Sequence, residues 1–411
     1  MRGGAKAWSI PLLVLAGCPD PGNYACLDDT DCDREGQFGQ CLSDRACAYP
    51  VPTDRCPSGL IRSPNAATDP GACVPDDDAE SSSTQTDSAQ TSGGCDDPLG
   101  VEVALELDAL ADAGAGYPLL LQLTDDGVAE ALRAHAQALV VASADGTPLP
   151  AQWDLGEGGD PVHAWIRLPD PAVQDAATLQ VRWDGAAPDP TDVWSDYAFV
   201  WHFDEASNTD ATRTGASGDL QGAPRPAQST PAVIGNGLAF DGLDDALWVT
   251  PAPAREDGPF TVSVWARYDD PSGERAEYFS SLGGDTLYPR CFRNGEGNAV
   301  CQIRQGTQSE NLSGSSHPPG VFQHIALVRD GDAVQLYIDG QPEGSASATD
   351  GTVGSGRDPW RIADGQWGPA MITLDELRYA DRAIPASWIA FDAQTQQDPS
   401  AVVTSAALRC D

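Results

Sequence analysis

Apolar and polar residues alternate with a period of two in several runs from residue 101 onward. Phe199, Trp201 and Phe203 occupy every second position, and the same alternation recurs over residues 260–267 and 334–339. Such alternation predicts β-strands that bury one face in a core. Asp-Gly pairs, which favour tight turns between strands, begin at residues 145, 241, 330 and 339. The pattern therefore predicts an all-β protein of antiparallel jelly-roll or β-sandwich domains.

Two short segments depart from this alternation. Residues 128–140 predict a short helix, and Pro385 predicts the start of a terminal helical turn that runs to Ala393. The region that begins at Cys95 is long for a single sandwich, so we predict two β domains with a boundary near residue 196.

The amino-terminal residues have the pattern of an export signal. Positive residues precede an apolar run at residues 10–15, which is too short to span a bilayer. The junction Leu15-Ala16-Gly17-Cys18 resembles the lipobox of bacterial lipoproteins. This resemblance implies cleavage between Gly17 and Cys18 and acylation of Cys18, which would anchor the protein to a membrane of the cell envelope, at the outer membrane or cell surface. An ordinary signal peptide, with Cys18 in a disulfide, is the alternative.

The chain has eleven cysteines, an odd number that leaves ten if Cys18 is acylated. Six of them lie in a segment with few large apolar residues, which predicts a small disulfide-bonded module. They are Cys26, Cys32, Cys41, Cys47, Cys56 and Cys73. A zinc site is the competing interpretation, but no spacing in this group is Cys-x-x-Cys.

The other four cysteines predict two further disulfides. Cys291 and Cys301 flank the glycine-rich turn at residues 294–298, which would fold their segments into a hairpin and bring the two sulfurs together. Cys95 and Cys410 pair by elimination, and their bond would join the two ends of the large C-terminal region.

The predicted organisation has five parts. Residues 76–94 are rich in Ser, Thr, Asp and Gly and have no large apolar residue, which is typical of a disordered linker. The parts are a signal peptide at 1–17, a cysteine-rich module at 18–75, the linker at 76–94, a β-sandwich domain at 95–196 and a jelly-roll domain at 197–411.

Charge excludes several classes of function. The formal net charge is −39, so the chain lacks the clustered basic residues that nucleic-acid binding requires. Lys6, in the predicted signal peptide, is the only lysine. Chemistry that depends on a lysine, such as Schiff-base formation, is therefore excluded from the processed chain.

Residues from about 197 to 394 resemble a laminin-G-like jelly roll of the concanavalin A-like lectin/glucanase superfamily. The residues that carry the resemblance lie at 200–205, 237–245, 260–265, 324–328, 336–340 and 374–378. Residues from about 99 to 196 are similar to a bacterial domain of unknown function that commonly precedes such a jelly roll. Neither resemblance implies a particular activity.

The resemblance to the laminin-G-like family implies a candidate calcium site. The loop at residues 214–219 takes the place of an acidic loop of that family, with Asp219 as a ligand and with Asp375 and Glu376 on the partner strand. Arg213 departs from the family pattern, because a guanidinium near the loop competes with a cation. A second acidic group, Asp241 with Asp244 and Asp245, is interpreted as turn residues that bond their own backbone.

Catalytic motifs are missing from the sequence. It has no Glu-x-Asp-x-Glu pattern of the glucanases and no Gly-x-Ser-x-Gly elbow. Asp375 and Glu376 are the nearest carboxylate pair, but adjacent residues of a strand point to opposite faces. We therefore predict that the protein is not an enzyme, with a glycan-processing enzyme of non-standard site as an alternative.

Aromatic residues in glycine-rich and proline-rich loops are the candidates for ligand binding. Trp360, Trp367 and Tyr288 could stack on a sugar, or they could cap the edges of the sandwich. We predict a cell-surface lipoprotein that displays β-sandwich modules for recognition of a carbohydrate or an extracellular protein, assisted by Ca²⁺. A passive structural role in the envelope is a further alternative.

Overall fold

The computed structural model of the protein describes residues 40–41, 47–50, 60–62, 99–105, 115–169, 178–203, 210–214, 216–222, 227–250, 258–270, 275–283, 286–305, 308–347, 360–399 and 402–410. The chain divides into two compact units, residues 1–94 and residues 95–411. The predicted acylation site Cys18 and the predicted linker lie outside the described residues. Within the ranges just given, no helix has both the length and the apolar character needed to cross a bilayer.

The described part of the first unit is a small antiparallel sheet. Its strands are β1 (Gln40–Cys41), β2 (Cys47–Pro50) and β3 (Leu60–Arg62), in that order across the sheet. The backbone positions of Cys41 and Cys47 are directly opposite each other in the β1–β2 pair. Cys26, Cys32, Cys56 and Cys73 lie outside the described residues, so the disulfides of this module stay a prediction.

The second unit begins with a sandwich of two antiparallel sheets. Their order is β26-β4-β10-β6-β7 in one sheet and β5-β9-β8 in the other. The elements are β4 (Gly100–Leu105), β5 (Pro118–Leu123), α1 (Asp126–Ala134), β6 (Val140–Ser143), β7 (Pro148–Leu149), β8 (Ala151–Asp154), β9 (Val162–Arg167), β10 (Thr178–Arg182), a 3-10 helix (Pro190–Trp194) and β26 (Val403–Arg409).

Helix α1 is shorter than predicted. Asp125 caps it, because the Asp125 carboxylate accepts the Val128 N–H at 2.9 Å. The helix ends at Ala134, and the apolar residues from Val140 onward form strand β6 against β10 instead. The predicted helix took in Leu139 and Val140, because a short apolar run does not distinguish a helix from a buried strand.

The jelly roll consists of two larger antiparallel sheets. The first has the order β13-β14-β25-β16-β21-β22-β23, with β11 also paired to β25, and the second has the order β12-β15-β24-β17-β18-β19-β20. The elements are β11 (Phe199–Trp201), β12 (Ser217–Gln221), β13 (Ala227–Pro231), β14 (Asn236–Asp241), β15 (Ala246–Thr250), β16 (Phe260–Tyr268), β17 (Ala276–Gly283), β18 (Thr286–Arg293), β19 (Asn298–Gln305), β20 (Gln308–Ser316), β21 (Phe322–Asp330), β22 (Ala333–Ile338), β23 (Gln341–Ser347), β24 (Trp360–Ile362), β25 (Met371–Ala380) and α2 (Ala386–Gln397).

Strands β11 and β16 are buried on both faces over most of their length, rather than on the one face that the alternation predicted. Phe199, Trp201 and Phe203 point into the core between the two jelly-roll sheets, whereas Val200 joins the core of the first sandwich. The prediction of an all-β protein of antiparallel sandwiches is confirmed.

The first sandwich is completed by the end of the chain. Strand β26 pairs antiparallel with β4, and Trp388, Ile389 and Phe391 of α2 pack in the core of the first sandwich. Helix α2 is longer than the helical turn predicted from Pro385 to Ala393 and continues to Gln397. The domain boundaries drawn from the sequence stay a prediction, but the core of the first sandwich takes residues from both sides of position 196.

The hairpin disulfide is confirmed. Cys291 and Cys301 are opposite each other on β18 and β19 and are bonded to each other in the buried core. Cys410 is also disulfide-bonded. Its predicted partner Cys95 lies outside the described residues, so that pairing stays a prediction.

Candidate functional site

A groove opens at one edge of the jelly roll, where β14, β16 and β17 meet the loop between β24 and β25. Its volume is about 430 Å³. We call it the Trp367 groove. Its lining combines an aromatic side chain with charged ones, and it includes Asp241, Tyr268, Asp270, Arg275, Trp367 and Met371.

Trp367 is held in the groove by rings and guanidinium groups. Its side chain is half-buried, and the ring of Phe292 meets its face edge-on with centroids 4.7 Å apart. The guanidinium carbons of Arg290 and Arg275 lie 4.6 Å and 5.0 Å from the centre of its ring. Cation–π contacts of this kind fix the ring without a hydrogen bond to the indole.

A buried carboxylate supports the loop that carries Trp367. Glu277 Oε2 accepts the Gln366 N–H at 2.8 Å, and Arg290 Nη1 donates to Gln366 Oε1 at 2.6 Å. A Cβ at Gly365 would come within 2.0 Å of Glu277 Oε2, so a larger residue there would displace the carboxylate that accepts the Gln366 N–H. Burial raises the pKa of Glu277 to about 7, although Arg290 opposes the rise.

Three aspartates form the turn at the rim of the groove. Asp241 Oδ1 accepts the Leu243 N–H at 2.8 Å, and Asp245 Oδ2 accepts the Asp241 N–H at 3.0 Å. These bonds fit the interpretation of the group as turn residues. Asp244 is exposed, whereas Asp245 is buried.

The structure does not assemble the calcium site predicted at Asp219, Asp375 and Glu376. Asp219 is exposed on β12, whereas the other two are buried on β25 in the opposite sheet. Among the described residues these three do not form a cluster of metal-ligand atoms. From the sequence, Arg213 was expected to compete with a bound cation. In the structure Arg213 pairs with Asp189 at 3.2 Å and Asp192 at 2.6 Å.

The carboxylate of Asp375 is already bonded to the backbone. Its Oδ2 accepts the N–H groups of Val233 and Ile234, and its Oδ1 accepts the N–H of Glu376. Glu376 has a φ of 49°, at a bulge where β25 shifts its register against β16. Asp375 and Glu376 therefore both have structural partners in the protein.

The aromatic candidates have different positions. Trp360 is fully buried between Phe199 and Phe279 in the jelly-roll core, so its assignment as a ligand-binding residue is wrong. It lies on strand β24, where Trp360 and Ile362 join the jelly-roll core and the intervening Arg361 is half-buried. Trp367 lines the groove, and the side chain of Tyr288 lies outside the described part of the structure.

A buried charge network that was not predicted from the sequence lies between β25 and α2. Arg378 pairs with Glu376 at 2.7 Å and with Asp392 at 3.2 Å, and all three side chains are almost fully buried. Tyr117 directly precedes β5 in the first sandwich, and its hydroxyl donates to Asp392 Oδ1 at 2.6 Å. The only signal in the sequence was charged residues within the otherwise apolar strand at 371–380.

The network favours the charged states of Glu376 and Arg378, whereas burial raises the pKa of Asp392. Burial alone would raise the pKa of Glu376, but His202 and Arg378 lower it to about 2. Nδ1 of His202 lies 2.5 Å from Glu376 Oε1. Burial opposes the charge of Arg378, but Asp392 and Glu376 raise its pKa above the usual range.

The C-terminal unit thus contains an antiparallel jelly roll with an aromatic and charged groove at one edge. Residues 240–390 match the family model described as the concanavalin A-like lectin/glucanases superfamily. The match runs from the end of β14 into α2 and agrees with the jelly roll expected from the sequence. A search among curated proteins found no match.

Solved structures similar to this chain include three toxin binding domains. The receptor-binding domain of the botulinum neurotoxin C/D mosaic serotype has 11% identity and a TM-score of 0.42, over 49% of this chain and 51% of that one. The binding domain of Paraclostridial Mosquitocidal Protein 1 has 12% identity and a TM-score of 0.42, over 48% and 52%. The botulinum neurotoxin serotype G binding domain has 10% identity and a TM-score of 0.41, over 49% and 51%. The alignment spans about half the length of each of these chains.

Proposed function

We propose that the protein is a non-catalytic recognition protein that binds a carbohydrate in the Trp367 groove. The observation that carries the proposal is a half-buried tryptophan beside Asp241, Asp270 and Arg275 in a cavity of about 430 Å³. Aromatic rings pack on the apolar faces of sugars, and nearby carboxylates and guanidinium groups bond their hydroxyls. The match of residues 240–390 to the lectin/glucanase superfamily is consistent with this ligand class.

The expected result of Trp367→Ala is at least a tenfold loss of affinity for the carbohydrate, because the stacking surface is removed. The full chain is first screened on a glycan array, and the strongest ligand is then measured by isothermal titration calorimetry. Trp248→Ala is the matched control, since Trp248 is also half-buried in the jelly roll with an arginine, Arg361, 5.1 Å from its ring. Trp248 does not line the groove.

Two outcomes contradict this proposal. Absence of any carbohydrate ligand on the array removes the ligand class. Equal affinities of the wild-type chain and Trp367→Ala for a ligand that does bind would place binding elsewhere. Release of reducing sugar from a bound glycan would instead favour the glycan-processing alternative.

We further propose that the recognition unit is displayed on the cell envelope by a lipid on Cys18. The support is the lipobox-like junction at residues 15–18 and the odd number of cysteines. The intact mass of the membrane-extracted protein should correspond to a chain that begins at Cys18 and carries acyl chains. A soluble, unprocessed chain of full mass contradicts the anchor but leaves the carbohydrate proposal in place.

A further inference from the structure

Arg275 lines the Trp367 groove, and no hydrogen bond or ion pair of its guanidinium is seen among the described residues. The residue is exposed, and its guanidinium carbon lies 5.0 Å from the centre of the Trp367 ring. Each of the other arginines whose side chains the structure describes donates a hydrogen bond to an oxygen or forms an ion pair. The chain has 62 Asp and Glu residues against 23 Lys and Arg residues, so an arginine without an acidic partner is an exception.

The charged residues of the groove come from the two different sheets of the jelly roll. Asp241 is the last residue of β14 and Asp270 follows β16, both in the first sheet, whereas Arg275 directly precedes β17 of the second sheet. All three line the same cavity of about 430 Å³, yet within the described ranges Arg275 forms no ion pair with either aspartate. A ligand in the groove therefore meets carboxylates on one side and a guanidinium on the other.

The guanidinium of Arg275 is suited to an anionic group of the ligand. Its planar set of N–H donors matches the two oxygens of a carboxylate, and the Trp367 ring already holds it in place. Arg290 also lies against Trp367, but its Nη1 donates to Gln366 and its Nε donates to Gln302. The net charge of −39 repels an anion at long range, but salt screens charges beyond about 8 Å at physiological ionic strength. Contacts within the groove therefore decide which ligand binds.

We propose that the Trp367 groove binds a sugar that carries a carboxylate, a hexuronic acid, and that Arg275 binds this carboxylate. The hydroxyls of the sugar donate to Asp241 and Asp270 on the other side of the groove, and its apolar face packs on Trp367. A neutral hexose can make the hydroxyl contacts but leaves the charge of Arg275 without a counterpart. This assignment of the sugar class rests on the proposed carbohydrate function and makes Arg275 the residue that determines specificity.

Three matched pairs of methyl glycosides test the sugar class by isothermal titration calorimetry on the full chain. The pairs are the glucuronide with the glucoside, the galacturonide with the galactoside, and the mannuronide with the mannoside. We expect the uronide of at least one pair to bind about tenfold more tightly than its neutral partner, because hydrogen bonds between charged groups are the stronger ones. Arg275→Gln should abolish this preference and leave the affinity for the neutral glycoside nearly unchanged. Arg275 is exposed, and Arg290 and Phe292 still hold Trp367 in that variant.

Arg213→Gln is the matched control, because it also removes one positive charge at an exposed arginine, and Arg213 does not line the groove. We expect this variant to keep the wild-type preference for the uronide. The proposal is overturned if the uronides bind no better than the neutral glycosides, if Arg275→Gln keeps the preference, or if Arg213→Gln loses it. Binding of neutral glycosides that depends on Trp367 but shows no preference for uronides overturns the sugar class and leaves the carbohydrate proposal in place. Absence of any carbohydrate ligand overturns both.

Discussion

Replacement of Arg378 by Met is expected to destabilise the protein by about 3–5 kcal/mol. Arg378 forms ion pairs with both Glu376 and Asp392, and the three side chains are at most 2% exposed. Glu376 also has His202 as a partner, whereas no other ion pair of Asp392 is seen among the described residues. Without the guanidinium, two buried acidic groups are left to face each other, and breaking a buried pair in this way costs about 3–5 kcal/mol. Urea unfolding of the full chain, followed by tryptophan fluorescence, measures the change.

Arg213 provides the matched control for Arg378. It also pairs with two aspartates, Asp189 and Asp192, but its side chain is 60% exposed. Exposed pairs contribute about 0–1 kcal/mol, so Arg213→Met should have little effect on the urea midpoint. Adding Glu376→Gln and Asp392→Asn to Arg378→Met should recover part of the lost stability, because the unpaired charges are then removed. Equal midpoints for Arg378→Met and Arg213→Met would contradict a stabilising role of the network.

Acidification from pH 7 to pH 4 is expected to lower the free energy of unfolding through two buried histidines. Nδ1 of His317 lies 2.5 Å from Tyr278 Oη, and Nε2 of His317 lies 3.0 Å from the Val321 carbonyl oxygen. A carbonyl only accepts, so Nε2 carries the proton and Nδ1 is the acceptor for Tyr278. Burial lowers the pKa of His317 to about 4 and that of His324 to about 3.

The lowered pKa values of the two histidines determine whether acid stabilises or destabilises the fold. A histidine whose pKa is lowered by folding contributes its stability above pH 6.5 and loses it as the pH falls towards the folded pKa. With folded pKa values of about 4 and about 3, the two histidines together lose about 6 kcal/mol between pH 7 and pH 4. Glu277 acts in the opposite direction. Its pKa of about 7 means that it contributes stability below pH 4.5 that is lost as the pH rises, which returns about 3 kcal/mol over the same interval.

The net expectation is a loss of about 3 kcal/mol from these three groups on going from pH 7 to pH 4. His324→Phe should make the pH dependence shallower, because one of the two titrating histidines is gone. Glu277→Gln should make it steeper, because the opposing group is gone. Urea unfolding at a series of pH values measures both slopes. Slopes that do not change in either variant, or that change in the reverse directions, would contradict the assignment.

Local patterns in the sequence predicted those parts of the fold that depend on neighbouring residues. The alternation at Phe199, Trp201 and Phe203 is a property of one strand, and the hairpin of Cys291 and Cys301 is closed by five residues of turn. Both were predicted correctly, because period and turn chemistry act over short distances along the chain.

Features that depend on distant strands were not predictable in the same way. Trp360 and Trp367 lie in similar glycine-rich sequence, and only the pairing of β24 with β15 and β17 places the first in the core and the second at the groove. Arginine is usually exposed, and Arg378 is buried only because α2 packs over it and brings Asp392 into contact with it. The three aspartates of the turn were visible in the sequence, but the burial of Asp245 was not.

The pairing of β26 with β4 has a consequence for the order of biosynthesis. The sheet of the first sandwich contains both the first and the last described strands of the C-terminal unit, with the jelly roll inserted between β10 and β26 in the chain. Domains fold as their residues become available during synthesis. The inserted jelly roll can therefore mature while its host sandwich still lacks an edge strand, and the host sheet is complete only once residues 403–409 are available to pair with β4.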